Sequence, residues 1–555
     1  MSSGYTNASD MQRAIITVLS HSEAYPHSVD EIQLIETHIS WVFLTGHYAY
    51  KIKKPVNFGF LDFSTLEKRH RFCEEELRLN RRLAPALYLD VVPIYGPPDK
   101  ATMKGTGETI EYAVKMLQFD VKNTFDNLLL RNKLTPEHIS ETAETLARFH
   151  SNISIADENS PFGTAEAIQQ PVMENFDQLS ASLQTIKNQH TSDGALKTLH
   201  DWTTKNHEAL TSTFNARKRA GFIRECHGDL HLRNITLWEN HVTPFDCIEF
   251  NDNLRWIDVI SELAFLIMDL DDHQQPTFSR QLLNHYLSLT GDYDGLEVLR
   301  YYQVYRAMVR AKVAGLRLGQ SEDEIPQQLE EIQNYLHLAK CYVKPRTPTL
   351  LITHGLSGSG KTYLSKKISL TVDVIHLRSD VERKRCFGLD ENAKTQSDLN
   401  VGIYSPEETE KIYKHLLRLS QPILNAGFSV LVDATFLLRE HRDLFKTLAD
   451  ELNIPFTILH CEASDITLRQ RLKERQDEGT DASEANVQIL IQQQKKEHTL
   501  EKDEECYAQT VRPQDTTDIT KVLSSLGTAE KITRLKEINS INSLLLFLST
   551  FLRIF

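Results

Sequence analysis

Cysteine is scarce and unpatterned: Cys73, Cys226, Cys247, Cys341, Cys386, Cys461 and Cys506 are seven in number, scattered, and include no CxxC pair. That distribution argues against a disulfide framework and against a zinc site, and a reducing cytoplasm is the expected compartment. Basic charge is short as well. A formal net charge of −14 leaves no excess of positive surface for a nucleic-acid polymer, so nucleic acid is not the expected partner. The stretch "MSSGYTNASDMQRAIITVLSHSEAYPH" has no basic start followed by an apolar run, and no secretory leader is expected. Long apolar runs are missing too. The C-terminal "INSLLLFLSTFLRIF" is fifteen residues long, whereas a helical membrane span needs about twenty. It is expected to dock on the protein or to fray, with membrane-surface contact as the lesser reading. No internal repeat and no long low-complexity tract is present.

What remains is ordinary globular composition, 40% hydrophobic and 25% charged, in a chain of 555 residues. Such a length implies about three or four structural units. Two textures meet near "CYVKPRTPTLLITHG", where Pro345 and Pro348 break a helical pattern and "TLLIT" reads as a buried strand. A boundary is therefore expected at about 345. Upstream, "WVFLTG" and "HYAYKIKK" read as a hairpin, "STLEKRHRFCEEELRLNRRLAP" as a helix, and "VVPIYG" and "IEYAVKML" as two more strands. That order is the small lobe of a protein-kinase-like fold, expected over 1–120. From 121 to 344 the pattern is helical, interrupted by short strands between 235 and 250.

The segment "CHGDLHLRNITLW" sets His227, Gly228 and Asp229 together and Asn234 five residues after the Asp. Kinase catalytic loops use this spacing, with the Asp receiving a hydroxyl proton and the Asn reaching a metal ion. A second acid follows in "TPFDCIEFNDNLRWIDVISELAFLIMDL", at Asp246, with Asp258 twelve residues later. On these residues, on Arg255 and on the helix end "LARFH", the first part of the chain resembles the aminoglycoside phosphotransferase and choline kinase superfamily. The resemblance implies a two-lobed α+β kinase-like fold with Asp229 as catalytic base, Asn234 and Asp246 as magnesium ligands, and Asp258 bracing the catalytic loop. Where the family has "IDF" or "IDW" this chain has "FDCIEF", so Glu249 is a rival or additional ligand. The phosphate-contacting lysine is placed at Lys51 by the Ala-x-Lys order. Lys53, on the same strand face, is the alternative. The helix partner is placed at Glu76, with Glu75 as second choice. A G-x-G-x-x-G loop is absent, Gly46 standing alone in its place.

After the boundary strand comes "GLSGSGKTYLSKKI", a G-x-x-x-x-G-K-[ST] match through Gly355, Ser357, Gly358, Ser359, Gly360, Lys361 and Thr362. Its context, a buried strand before and a helix after, is that of a phosphate-binding loop: backbone N–H groups curl round the phosphates, Lys361 reaches the terminal ones and the Thr362 hydroxyl holds magnesium. Asp380 and Arg383 follow a second strand, Asp433 ends a third, and Arg469, Arg471 and Arg475 lie at helical spacing. This half resembles the small P-loop kinases, a group that includes gluconate kinase and polynucleotide-kinase-type enzymes. The resemblance implies a parallel-sheet α/β domain over 349–525 with Asp380 as base, Asp433 on the metal, and Arg471 or Arg475 as lid arginine. Within those bounds 23 Lys and Arg face 28 Asp and Glu, which favours a metabolite over a polynucleotide. A tail is left at 526–555.

Together the two halves resemble bacterial fusions of an aminoglycoside phosphotransferase-like domain with an AAA-type ATP-binding domain. The expected activity is transfer of the γ-phosphate of ATP, with Mg2+, to a hydroxyl group of a small molecule. Two other readings stay open: a P-loop ATPase on a non-catalytic kinase-like scaffold, and a nucleic-acid end kinase.

Overall fold

The computed structural model describes residues 8–59, 61–184, 193–318, 324–390, 393, 402–478 and 485–526, so the tail expected at 526–555 lies outside them apart from its first residue. The chain divides into two units. One comprises Met1–Ser279 with Val298–Val343, the other Arg280–Glu297 with Lys344–Phe555.

The first unit opens with the helix Ala8–Leu19 and a five-stranded antiparallel sheet made of β1 (Gln33–Glu36), β2 (Ser40–Leu44), β3 (Tyr48–Lys53), β4 (Tyr88–Tyr95) and β5 (Thr109–Leu117). The strand order is β1-β2-β3-β5-β4. Side chains alternate across a strand, and this decides where the chemistry goes. Tyr50 and Ile52 of β3 join Trp41, Phe43, Ile15 and Leu19 in the core beneath the first helix. Lys51 and Lys53 consequently point to the other face, where the helix Leu66–Asn80 lies. Thr65 starts that helix by accepting the N–H of Lys68 on its hydroxyl. The sequence pattern did not signal β1. It is an edge strand exposed at every position, so it carries no alternation to read.

Helices dominate the rest of this unit. Two small ribbons stand among them: β6 (Ile223–Glu225) with β9 (Trp256–Asp258), and the hairpin of β7 (Ile235–Trp238) with β8 (His241–Pro244). The helix Val259–Asp272 runs beneath the loop that follows β6 and is buried from Val259 to Leu270.

The second unit is built on a parallel sheet, β11-β12-β10-β13-β14, with β10 (Leu350–His354), β11 (Val374–Arg378), β12 (Ser429–Asp433), β13 (Phe456–Cys461) and β14 (Ala508–Val511). As the central strand, β10 is covered on both faces, which is why Leu350, Leu351 and Ile352 form an unbroken apolar run. Burying each contributes about 1.5–3 kcal/mol. From β10 the chain passes through the helix Lys361–Thr371 to β11 on one side, whereas from β12 it crosses to β13 on the other, and the crevice at such a switch point is where parallel α/β sheets bind ligands. The units thus have the expected classes, a two-lobed α+β kinase-like fold and a P-loop α/β fold. Among the described residues no helix is long and apolar enough to cross a membrane.

Candidate active sites

In the first unit the loop Cys226–Asn234 connects β6 to β7. His227 shapes it by pairing its Nε2 with the Phe245 carbonyl at 2.8 Å, while its own carbonyl accepts the N–H of Ile248. Gly228 adopts φ +90°, and a side chain there would come within 2.8 Å of the Leu254 carbonyl, so only glycine fits. Asp229 is left at the open side with 38% of its side chain exposed. The Asn234 amide donates to the Asp229 carboxylate at 3.1 Å, and His231 Nε2 lies 3.4 Å from it. Burial works against ionisation of Asp229, but His231, His227 and Arg310 outweigh it and hold the carboxyl well below its usual range.

The β7–β8 hairpin explains why Asn234 and Asp246 meet. Ile235 pairs with Pro244 at its open end, and the next rung is the Phe245 N–H donated to the Asn234 carbonyl at 2.9 Å. Asp246 follows in a left-handed conformation, φ 65°. It receives Lys51 Nζ at 2.6 Å. Both lysines of β3 reach Glu76, which is fully buried: Lys51 at 2.9 Å and Lys53 at 2.6 Å. They differ in their second partner. Lys53 is sealed against Glu249, itself 4% exposed, whereas Lys51 meets the half-exposed Asp246. Glu75 is used elsewhere, on Arg78 and Arg255.

Asp258 does not brace the loop Cys226–Asn234 directly. Its carboxylate takes Arg217 through two hydrogen bonds, at 2.6 and 2.9 Å, and caps the helix Val259–Asp272 by accepting the Ile260 N–H. The bracing comes from two residues that sequence reasoning missed. Glu262 accepts the Gly228 N–H at 2.7 Å and pairs with His150, the end of "LARFH", at 3.0 Å; Asp269 accepts the Leu232 N–H at 2.8 Å. The signal was present. They are two acids, seven positions apart and so on one helix face, inside the apolar run "VISELAFLIMDL".

In the second unit Gly355 to Gly360 form the turn from β10 into the helix Lys361–Thr371, and Gly360 is the residue that caps it. Lys361 is buried, donates to the Leu356 carbonyl at 2.8 Å, and has no carboxylate partner among the described residues. Burial accordingly lowers its pKa. The Ser357 N–H donates to the Gln493 side chain at 2.8 Å, and the buried Ser359 hydroxyl has no hydrogen-bond partner among the described residues. A cavity of about 450 Å³ opens here, lined by Ser357, Gly358, Gly360, Lys361 and Thr362 on one side and Asp380, Arg383, Asp433 and Arg475 on others. Asp433 lies 3.2 Å from His376 Nε2. Burial opposes its ionisation, but His376, Arg378 and Lys361 prevail and hold its pKa at about 2. Arg471 donates to the Gly358 carbonyl at 3.2 Å, against the loop, while Arg475 lines the cavity and Arg469 is spent on Asp465 outside it.

Comparison with known proteins assigns these two constellations separately. Residues 61–301 match the phosphotransferase enzyme family, and residues 350–499 match the AAA domain. An uncharacterized protein of Mycobacterium tuberculosis is 27% identical over 452 residues, covering 81% of this chain and 88% of its own length, and one of Mycobacterium bovis aligns to the same extent. Among solved structures, a choline kinase from Cryptosporidium parvum covers 59% of this chain and 96% of its own, at 12% identity and a TM-score of 0.38. A gluconokinase from Sinorhizobium meliloti covers 33% of this chain and 97% of its own, at 15% identity and a TM-score of 0.24. The chain thus carries, in tandem, one stretch that matches the phosphotransferase enzyme family and one that matches the AAA domain.

Proposed function

We propose that the protein is an ATP-dependent phosphotransferase with two nucleotide sites, each passing the γ-phosphate to a hydroxyl group of a small molecule. The observation that carries this reading is the pair of cations poised for phosphate: Lys51, stretched between Glu76 and the open Asp246, and Lys361, buried with no carboxylate in ion-pair contact among the described residues. In the first unit Asp229 accepts the acceptor's hydroxyl proton as the new P–O bond forms and the bond to ADP breaks. Phosphoryl transfer demands positioning and charge neutralisation more than covalent help, and the bracing of Gly228 and Leu232 by Glu262 and Asp269 supplies the positioning. In the second unit Asp380 takes the base role, with Arg471 and Arg475 at the phosphates.

Magnesium fits both donor sets. Asn234 and Asp246 offer an amide and a half-exposed carboxylate side by side at the hairpin end, and Thr362 and Asp433 line one cavity. Oxygen ligands of this kind, few in number, suit the ion, whose chemistry when bound is to neutralise phosphate charge. Lys53 and Glu249 form a sealed structural pair in this reading. The acceptors are small molecules, and the cytoplasm is the compartment that suits ATP and seven free thiols.

The test is incubation of the purified chain with γ-labelled ATP and a cell metabolite extract, followed by identification of whatever acquires label. Labelled products that vanish in part with Asp229→Asn and in part with Lys361→Ala are expected. Release of free phosphate with no labelled product in any extract would favour the ATPase reading instead.

A further inference from the structure

Residues 280–297 lie inside the stretch that matches the phosphotransferase family, yet they belong to the second unit. The chain leaves the first unit after Ser279 and resumes it at Val298. Within the second unit this segment meets β11, the edge strand of the sheet. An edge strand presents backbone groups that no neighbouring strand satisfies. Asn284 satisfies two of them: its Oδ1 accepts the His376 N–H at 2.8 Å and its Nδ2 donates to the Val374 carbonyl at 3.1 Å. Just before the strand, Arg280 pairs with Asp373 at 2.6 Å and donates to the Leu370 carbonyl at 3.3 Å.

The same segment grips the helix that β11 leads into, Ser379–Cys386, on which Asp380 and Arg383 line the cavity. Tyr293 donates its hydroxyl to Glu382 at 3.0 Å, and both residues are buried. Arg385 donates to the carbonyls of Ser288 and Leu289. A methyl group on Gly291, which has φ +72°, would meet the Arg385 guanidinium at 2.9 Å, so the turn is shaped to that contact.

We propose that residues 280–297 are a positioning element of the P-loop site, fixing β11 and the helix Ser379–Cys386 and through them Asp380 and the His376 that touches Asp433. The proposal rests on the reading that Asp380 and Asp433 serve phosphoryl transfer there. It makes part of the phosphotransferase-family stretch a working piece of the other domain. None of these contacts reaches β10 or the loop that follows it, so nucleotide capture and catalytic geometry are separable.

The experiment uses the full chain carrying Asp229→Asn, which silences the first site, with Asn284→Ala or Tyr293→Phe added. Three quantities are read: amide hydrogen exchange, affinity for a non-hydrolysable ATP analogue, and Lys361-dependent phosphate release from ATP. Loss of one buried hydrogen bond of this kind is expected to speed exchange across 374–386 about tenfold and to lower turnover about tenfold. Exchange across 350–362 and analogue affinity should stay within about twofold, because the P-loop is untouched. Unchanged exchange at 374–386 in both variants would overturn the proposal, as would equal loosening of 350–362, which marks general unfolding. Absence of any Lys361-dependent turnover in the parent would refute the functional reading, and exchange then decides the positioning alone.

Discussion

Glu76→Gln would remove the carboxylate that Lys51 and the buried Lys53 share. Glu76 is fully buried, 2.9 Å from Lys51 and 2.6 Å from Lys53. Breaking a buried ion pair from one side costs about 3–5 kcal/mol. The electrostatics agree in sign: burial pushes the Glu76 carboxyl up, but Lys51 and Lys53 more than offset it and hold its pKa below the ordinary value of 4.5. Glu76→Gln should therefore destabilise the first unit by about 3–4 kcal/mol at neutral pH. Glu75→Gln, at a partly exposed site beside Arg78 and Arg255, should cost about 1 kcal/mol or less. The assay is urea unfolding followed by tryptophan fluorescence. Trp41, Trp202, Trp238 and Trp256 are the only tryptophans and all lie in the first unit, so the signal ignores the second. Because the folded pKa is depressed, the stabilisation is complete above the ordinary value and is lost as pH falls towards the folded one. The gap between wild type and Glu76→Gln should thus narrow below about pH 4.5. A gap under about 1 kcal/mol at neutral pH, or one that widens on acidification, would refute the reasoning.

Equilibrium dialysis should find two nucleotides per chain, and Lys361→Ala should remove one of them; a single site lost entirely in that variant would sink the first-unit assignment. Asp229→Asn keeps the shape of the side chain but not its basicity, so transfer by the first unit should fall by about 10²–10⁴ while analogue binding by calorimetry is unchanged. Glu262→Ala orphans the Gly228 N–H and should lower that transfer rate about tenfold or more without changing nucleotide affinity, whereas Glu262→Gln, which still accepts, should retain most of it. Nucleotide affinity at the P-loop should weaken as pH rises through the lowered pKa of Lys361, because the charged form that binds phosphate is lost there.

Sequence reasoning read what is periodic and what is locally spaced. The apolar run of β10 and the glycines after it are contiguous, so the turn from strand to helix at Gly355 to Gly360 was legible. That Asp229, Asn234 and Asp246 lie close together was legible for the same reason, since one loop and one hairpin hold them. The choice between Lys51 and Lys53 was not, because both share a strand face and both reach Glu76; only the second partner, open Asp246 or sealed Glu249, separates them. Glu262 and Asp269 stand out as acids in an apolar run, but the loop they brace lies 34 and 37 residues away, and no spacing rule names that partner. The excursion of 280–297 was equally hidden. Its residues run from the helix Pro276–Thr290 through a turn into the start of the helix Leu296–Arg317, and the pattern reads as one continuous helical region.

The two units solve one electrostatic problem in opposite ways. Lys51 sits between two carboxylates, and although burial opposes its charge, Asp246 and Glu76 prevail and raise its pKa well above the ordinary value. It stays charged at any working pH, but a phosphate must compete with Asp246 for it. That competition ends if Asp246 turns to a magnesium ion, so metal and nucleotide are expected to bind the first site cooperatively. Lys361 has no carboxylate in ion-pair contact among the described residues. Burial outweighs the more distant Asp433 and Asp380 and lowers its pKa, so an arriving phosphate need not displace a partner, but affinity is tied to holding the proton. In the proposed reading the first site depends on metal to release its lysine and the second on pH to keep its lysine charged, so a different variable tunes each. Nucleotide binding at the two sites is therefore expected to respond differently to metal and to pH.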